Sequence, residues 1–263
     1  MKQQLYTILF FLALLLLWAA GTGDLAFLGL DTPLWAAYVV PPPSEVASYL
    51  WTNSINGKLL LAMLITLKRL LIGYAIGLVL GVPLGMLCSR YKFASDTLGM
   101  LALGLQALPS VCWVPLACIW FGLTEAALLF VVIMGTLWSV LLSTQNGMGN
   151  VPPIYARAAR TMGASKLYTL VFVTLPASAP FVLSGMKQGW AFAWRSLMAA
   201  EIYVSVASGF GIGQHLHYGR ELQRMYQVIG VMFIILLVGL LADKILFSPL
   251  ERYLQHRWGT DRK

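Results

Sequence analysis

The chain has 263 residues, of which 59% are hydrophobic and only 11% charged, with a mean hydropathy of +0.76. Soluble domains carry about 25% charged residues, so this composition excludes an ordinary water-soluble fold and predicts an all-α, polytopic membrane protein. The net charge of +8 would suggest nucleic acid in a soluble protein, but cytoplasmic Lys and Arg give a membrane protein the same excess, and no basic patch interleaved with aromatics accompanies it.

The first apolar run, Leu5 to Ala20, follows Lys2 and has a small-residue end at Ala19, Ala20 and Gly21. That pattern suits a signal peptide, yet the chain beyond stays hydrophobic, which favours an uncleaved first membrane helix. Residues 21–57 read as an outer loop in which Pro41, Pro42 and Pro43 lead through Ser44 and Glu45 into a short amphipathic helix. A boundary is expected here, with the first span and outer loop in 1–57 and a core in 58–263.

The second run extends from Lys58 to Cys88, longer than the roughly 20 residues that span a bilayer. Arg69 and Arg90 are 21 positions apart, about 31 Å of helix, so the membrane segment is expected over Leu70 to Leu87 with the two charges at opposite interfaces. Gly73, Gly77, Gly81 and Gly85 recur every four residues and give one smooth face for close helix packing. The third run, Leu98 to Gly122, is interrupted at Leu108-Pro109 and again at Pro115. Pro109 should kink it near mid-membrane, freeing backbone groups beside Gln106, Ser110 and Trp113. Such groups are tolerated at that depth against protein or a watery path, so both a packing adjustment and a pathway lining are open. Cys88, Cys112 and Cys118 have no metal-ligand spacing and read as packing residues.

A fourth run, Ala126 to Leu142, leads into a polar, basic loop at 144–178. Pro152 and Pro153 fix the chain, Tyr155 to Met162 suits a short helix with Arg157 and Arg160 three apart, and Gly163 is placed to end it. Ser165 to Val173 suits a second helix, with Leu175-Pro176 before the next run. That fifth run, Ala179 to about Ala200, carries Lys187, Gln188, Trp190, Trp194 and Arg195 and ends at Glu201. Charges inside a span are expensive and usually face a cavity or a partner. Lys187 could snorkel to the inner interface. Arg195 is deeper, and two readings stand: an ion pair with Glu201 across a break near Ala199-Ala200, or a pathway residue that draws an anion. Residues 205–225 read as a flexible outer hairpin, and a last run, Tyr226 to Phe247, returns the chain inward. With the amino terminus inside, eleven Lys and Arg lie at the cytoplasmic side, the tail's Arg257, Arg262 and Lys263 among them, against five outside, in keeping with the positive-inside rule.

Ala158-Ala159, Gly163, Val173, Leu175 and Pro176 stand at the spacing of the loop E-A-A, three residues, G, nine residues, I-x-L-P, and by these residues the chain resembles ABC transporter permeases of the binding-protein-dependent import type. The acidic position of that loop holds Arg157, and the nitrate, sulfonate and taurine branch often lacks the acidic residue there. Pro42-Pro43-Ser44-Glu45-Val46, Arg69 with Gly73 and Gly77, Trp120-Phe121-Gly122, Ala199-Ala200-Glu201 and Leu250-Glu251-Arg252 look like the nitrate, sulfonate, taurine and bicarbonate branch. The resemblance implies about six membrane helices and a cytoplasmic coupling helix, with Arg157, Ala158, Ala159, Arg160, Gly163, Ala164, Leu175 and Pro176 at the ATPase contact. It implies a homodimer in the bacterial plasma membrane with both termini cytoplasmic, two ATP-binding subunits and a substrate-binding protein, surrounded by lipid. ATP and Mg would reside on the partner subunits, since the chain has no G-x-x-x-x-G-K-[ST] loop and no catalytic constellation. The cargo would be a small anion such as sulfonate, taurine, nitrate or bicarbonate, with Gln106, Pro109, Ser110, Trp113, Gln188, Trp194, Arg195 and Glu201 as candidates for the path or gate. A secondary transporter or channel for a small anion is the alternative.

Overall fold

Every apolar run expected from the sequence is helical in the computed structural model, which describes residues 2–24, 35, 38–206 and 209–258. The expected outer loop is covered only in part, and Arg262, Lys263 and the Lys2 and Arg257 side chains lie outside the description. The helices are α1 (Lys2–Gly21), α2 (Pro43–Ile55), α3 (Lys58–Arg90), α4 (Lys92–Ala107), α5 (Ser110–Phe121), α6 (Glu125–Gly149), α7 (Pro153–Thr161), α8 (Lys166–Ala177), α9 (Ala179–Tyr203), α10 (Ile212–Glu221) and α11 (Met225–Leu254). Three of them, α3, α6 and α11, are long and apolar enough to cross a membrane unaided, and Leu5–Gly21 is a shorter apolar helix. Two bent pairs are apolar enough to bring the number of spans to five if each counts as one: α4 and α5 meet at 101°, α8 and α9 at 70°.

The chain separates into two units, Met1–Ile65 with Gly209–Leu237, and Thr66–Ser208 with Val238–Lys263. In the first, the Trp18 indole N–H donates to the Pro41 carbonyl at 3.1 Å and its ring lies 6.0 Å from Phe233. The Asp24 carboxylate accepts from the Ser44 backbone N–H and hydroxyl at 3.0 and 2.6 Å, satisfying a free N–H in the first turn of α2. Gly230 lets Tyr49 and Leu50 approach the α11 backbone. The segment expected as a flexible hairpin contains a helix, α10. The Gln214 side chain accepts from the Gly211 N–H at 2.9 Å, supplying the missing start signal. The Gln227 amide reaches the His215 carbonyl at 2.8 Å.

In the second unit α6 is the central rod. Its buried residues run on more than one face, from Ala127, Leu128 and Val131 to Thr144 and Met148. The α3 glycines lie along it: Gly73 meets Val132, Gly77 meets Thr136, Gly81 meets Val140, and Gly85 meets Leu141 and Thr144. A second set serves α9, where Gly185 meets Ser143, Gly189 meets Val140, and Gly135 of α6 meets Ser196. Missing side chains on one helix therefore admit the side chains of the next, the close approach that small residues allow in membranes.

The expected membrane segment over Leu70 to Leu87 lies within one continuous 33-residue helix, which Lys68 and Arg69 do not interrupt, and Arg69 is buried. One expectation is corrected here. Pro109 does more than kink the third run. Leu108 and Pro109 are extended (ψ 130° and 135°), and the helix stops at Ala107 and restarts at Ser110 in a new direction, since proline disfavours helical geometry in the residue before it.

Candidate functional site

Of the polar segment between α6 and α9, α7 presents the most water-exposed surface. Pro153 occupies its first turn, where the missing N–H costs nothing, and none of its residues is buried. Gly163 closes it in the left-handed region at φ +89°. The Gly163 N–H donates to the Arg160 carbonyl at 3.0 Å and the Ala164 N–H to Ala159 at 3.0 Å. Those two bonds form the Schellman C-cap, which needs a residue free of a Cβ penalty at that position. Ser165 then caps α8 by accepting from the Tyr168 N–H at 3.2 Å. Arg157, Ala158, Arg160, Gly163 and Pro176 are exposed, Ala159, Ala164 and Leu175 partly so. Around them Ile154, Tyr155, Met162, Leu167 and Phe172 also face outward, Met162 at 88% exposure. Apolar side chains this exposed beside two arginines make a surface that fits a protein partner.

The residues expected near the path do not share one place. Gln106, Ser110 and Trp113 come together at the α4–α5 break, around a water-sized pocket completed by Met134, Trp138 and Phe192. Pro109 makes the break and is exposed. Trp194 is buried and lines a cleft with Lys187, Trp190, Arg195, Asp243 and Phe247. Gln188 is exposed on α9.

Glu201 belongs elsewhere, and its pairing with Arg195 is not what the structure shows. The helix continues unbroken through Ala199 and Ala200 to Tyr203, leaving no break to bring them together. Glu201 is fully buried and accepts from the Arg69 guanidinium at 2.8 Å and from the Thr66 hydroxyl at 3.0 and 3.1 Å. The other edge of the same guanidinium grips Glu125, at 2.7 Å from Nη2 and 3.0 Å from Nε. One arginine thus binds two carboxylates from two helices, the fork geometry that suits guanidinium better than an ammonium. Sequence inspection sees each charge but misses the cluster, because Arg69 and Glu201 are 132 positions apart. The one available signal is that Arg69 interrupts an apolar helix face. Lys187 is likewise no lone snorkelling cation: it pairs with Asp243 at 2.7 Å and Glu251 at 3.3 Å.

A family model described as binding-protein-dependent transport system inner membrane component matches residues 77–257. A putative ABC transporter permease protein of Methanocaldococcus jannaschii is 34% identical over 208 residues, 79% of this chain and 75% of that protein. A putative aliphatic sulfonates transport permease protein of Escherichia coli is 30% identical over 220 residues, 84% and 82% of the two chains. An inward-facing structure of the MetNI methionine ABC transporter superposes with a TM-score of 0.60 over 72% of this chain and 92% of its own, at 16% identity, a likeness of fold. With its bent membrane helices and its exposed, glycine-capped loop helix, the chain belongs to the binding-protein-dependent inner membrane component family, the permease subunits of ABC importers.

Proposed function

We propose that two copies of this chain form the membrane path of an importer for a small anion, with α7 of each copy seated in a groove of an ATP-binding subunit. The observation that carries this reading is α7 itself, a capped and wholly unburied helix ringed by exposed apolar side chains. A helix so placed gains nothing from its own fold by exposing Ile154, Tyr155 and Met162, and a partner's groove would bury them. Ala158, Ala159 and Gly163 present the small surface over which the groove approaches, and Arg157 takes the place of the loop's usual carboxylate. ATP and Mg act on the partner, a separate binding protein delivers the cargo, and both termini are cytoplasmic in a bacterial plasma membrane. The anion class rests on the sulfonate permease among the relatives and on the branch resemblance.

The test is Ala158→Trp in the reconstituted complex of permease, ATPase and binding protein. Ala158 is exposed, so the variant inserts and melts as the unaltered protein does, while stimulated ATP hydrolysis falls by at least about tenfold, as expected for a blocked interface centre. Normal stimulation would remove α7 from the mechanism. Solute uptake that continues with the ATPase inactivated would favour a secondary carrier instead.

A further inference from the structure

Along α9 the exposed positions Ser184, Gln188 and Arg195 fall on one face, with Ala191 half-exposed between them. Spacings of four and seven residues make this a single stripe. A polar stripe ending in a guanidinium cannot face acyl chains without a cost of about 2.5–3.5 kcal/mol for the arginine alone at mid-span. Arg195 does not relieve it by reaching for the nearer end of the helix at Tyr203. Its Nε donates to the Ala191 carbonyl at 3.0 Å, so the side chain folds back by one turn toward the centre of the span. There its guanidinium carbon sits 5.0 Å from the Phe192 ring centroid, a cation–π contact that holds it in place. Phe192 also lines the pocket of Gln106, Ser110 and Trp113.

The other cations of this region are neutralised by carboxylates: Arg69 by Glu125 and Glu201, Lys187 by Asp243 and Glu251. Asp243 lines the same cleft as Arg195 but is held by Lys187 at 2.7 Å. Among the described residues Arg195 has no carboxylate partner, and the only hydrogen bond it makes uses Nε. Its terminal nitrogens keep the planar donor fork that matches an oxyanion.

We propose that Arg195, clamped over Phe192 and Ala191, is the anion-reading residue of the translocation path, and that the Ser184, Gln188 and Arg195 face of α9 lies in water. The class of ligand is a small oxyanion with two coplanar acceptor oxygens, such as a sulfonate, carboxylate or nitrate group. This inference rests on the permease reading above and names the residue that would discriminate charge within that path.

The test places a reporter thiol at Gln188→Cys, about 10.5 Å along the helix from Arg195, in the assembled transporter with Cys88, Cys112 and Cys118 replaced by alanine. Two water-borne probes of opposite charge are compared, sulfonatoethyl and trimethylammonioethyl methanethiosulfonate. With Arg195 present the anionic probe should react about tenfold faster than the cationic one at low salt, with the preference shrinking at high salt. Arg195→Lys keeps most of the preference and Arg195→Gln abolishes it. A thiol at position 188 that neither probe reaches would overturn the watery face, and an unchanged probe ratio in Arg195→Gln would overturn the role of the arginine. If Arg195→Gln does not assemble, the preference and its salt dependence in the Arg195 protein still decide, because equal rates there refute the proposal. Failure here leaves the α7 docking test intact, and failure of that test leaves the probe ratio interpretable.

Discussion

Arg69 carries two carboxylates on one guanidinium, and the three groups are unequal. Glu201 is fully buried, whereas the Glu125 side chain is 38% exposed. Removing the cation leaves a buried carboxylate without its charged partner, so Arg69→Met should cost about 3–5 kcal/mol and lower the melting temperature of the purified protein sharply. Glu125→Gln removes a half-solvated charge and should cost less than about 1 kcal/mol. Equal losses from the two would mean that the cluster is not organised around the arginine. At this scale the sequence is legible in kind and illegible in pairing. Arg69, Glu201, Lys187 and Arg195 are recognisable as misfits in apolar helices, but which acid neutralises which base depends on residues 56 to 132 positions apart. Local spacing suggested Glu201 for Arg195, six positions away, and an unbroken helix keeps them apart.

Elements were read more faithfully, because each rests on local chemistry. The glycine repeat of α3 foretold a close helix contact, the Pro-Pro start and glycine stop of α7 foretold a capped helix, and the hydropathy of each run foretold a helix. What escaped is direction: the 101° turn at Leu108-Pro109 is far more than the kink a proline suggests, and α10 was hidden in a glycine-rich stretch whose cap comes from Gln214. The glycine contacts supply an internal comparison. A Cβ on Gly85 would lie 2.5 Å from the Leu141 carbonyl oxygen, a backbone atom that cannot step aside, whereas one on Gly104 meets nothing within 4 Å. Gly85→Ala should therefore destabilise by about 1–3 kcal/mol through overpacking. Gly104→Ala should be neutral or stabilising by up to about 1 kcal/mol, as expected when a helix-interior glycine gains a Cβ. Thermal unfolding of the two variants in the same detergent reads the contrast directly.

For the molecule as a whole, composition alone announced a membrane protein, and one loop announced its kinship. The assembly is different, because nothing in one chain's hydropathy says how many chains surround a path. The proposed pair of identical subunits makes a simple forecast: when two differently tagged copies are expressed together, each tag should retrieve the other from detergent extract in about equal amounts, and exclusive self-retrieval would refute the homodimer.

The two glycine seams on α6 carry a mechanical meaning. Where a helix is held by interlocking long side chains, rotamer hops can absorb a displacement, but at these seams side chain rests on backbone and there is little slack to take up. With α3 and α9 packed on adjoining faces that share Thr136 and Val140, α6 is stiffened like a rod lashed to two splints. Only residues 150–152 separate its end at Gly149 from the start of α7 at Pro153, and two of the next four residues after Gly149 are prolines. A push delivered at α7 would therefore arrive at the far end of α6, beside Glu125 and its arginine, as a tilt of the whole splinted group instead of being lost as bending along the way.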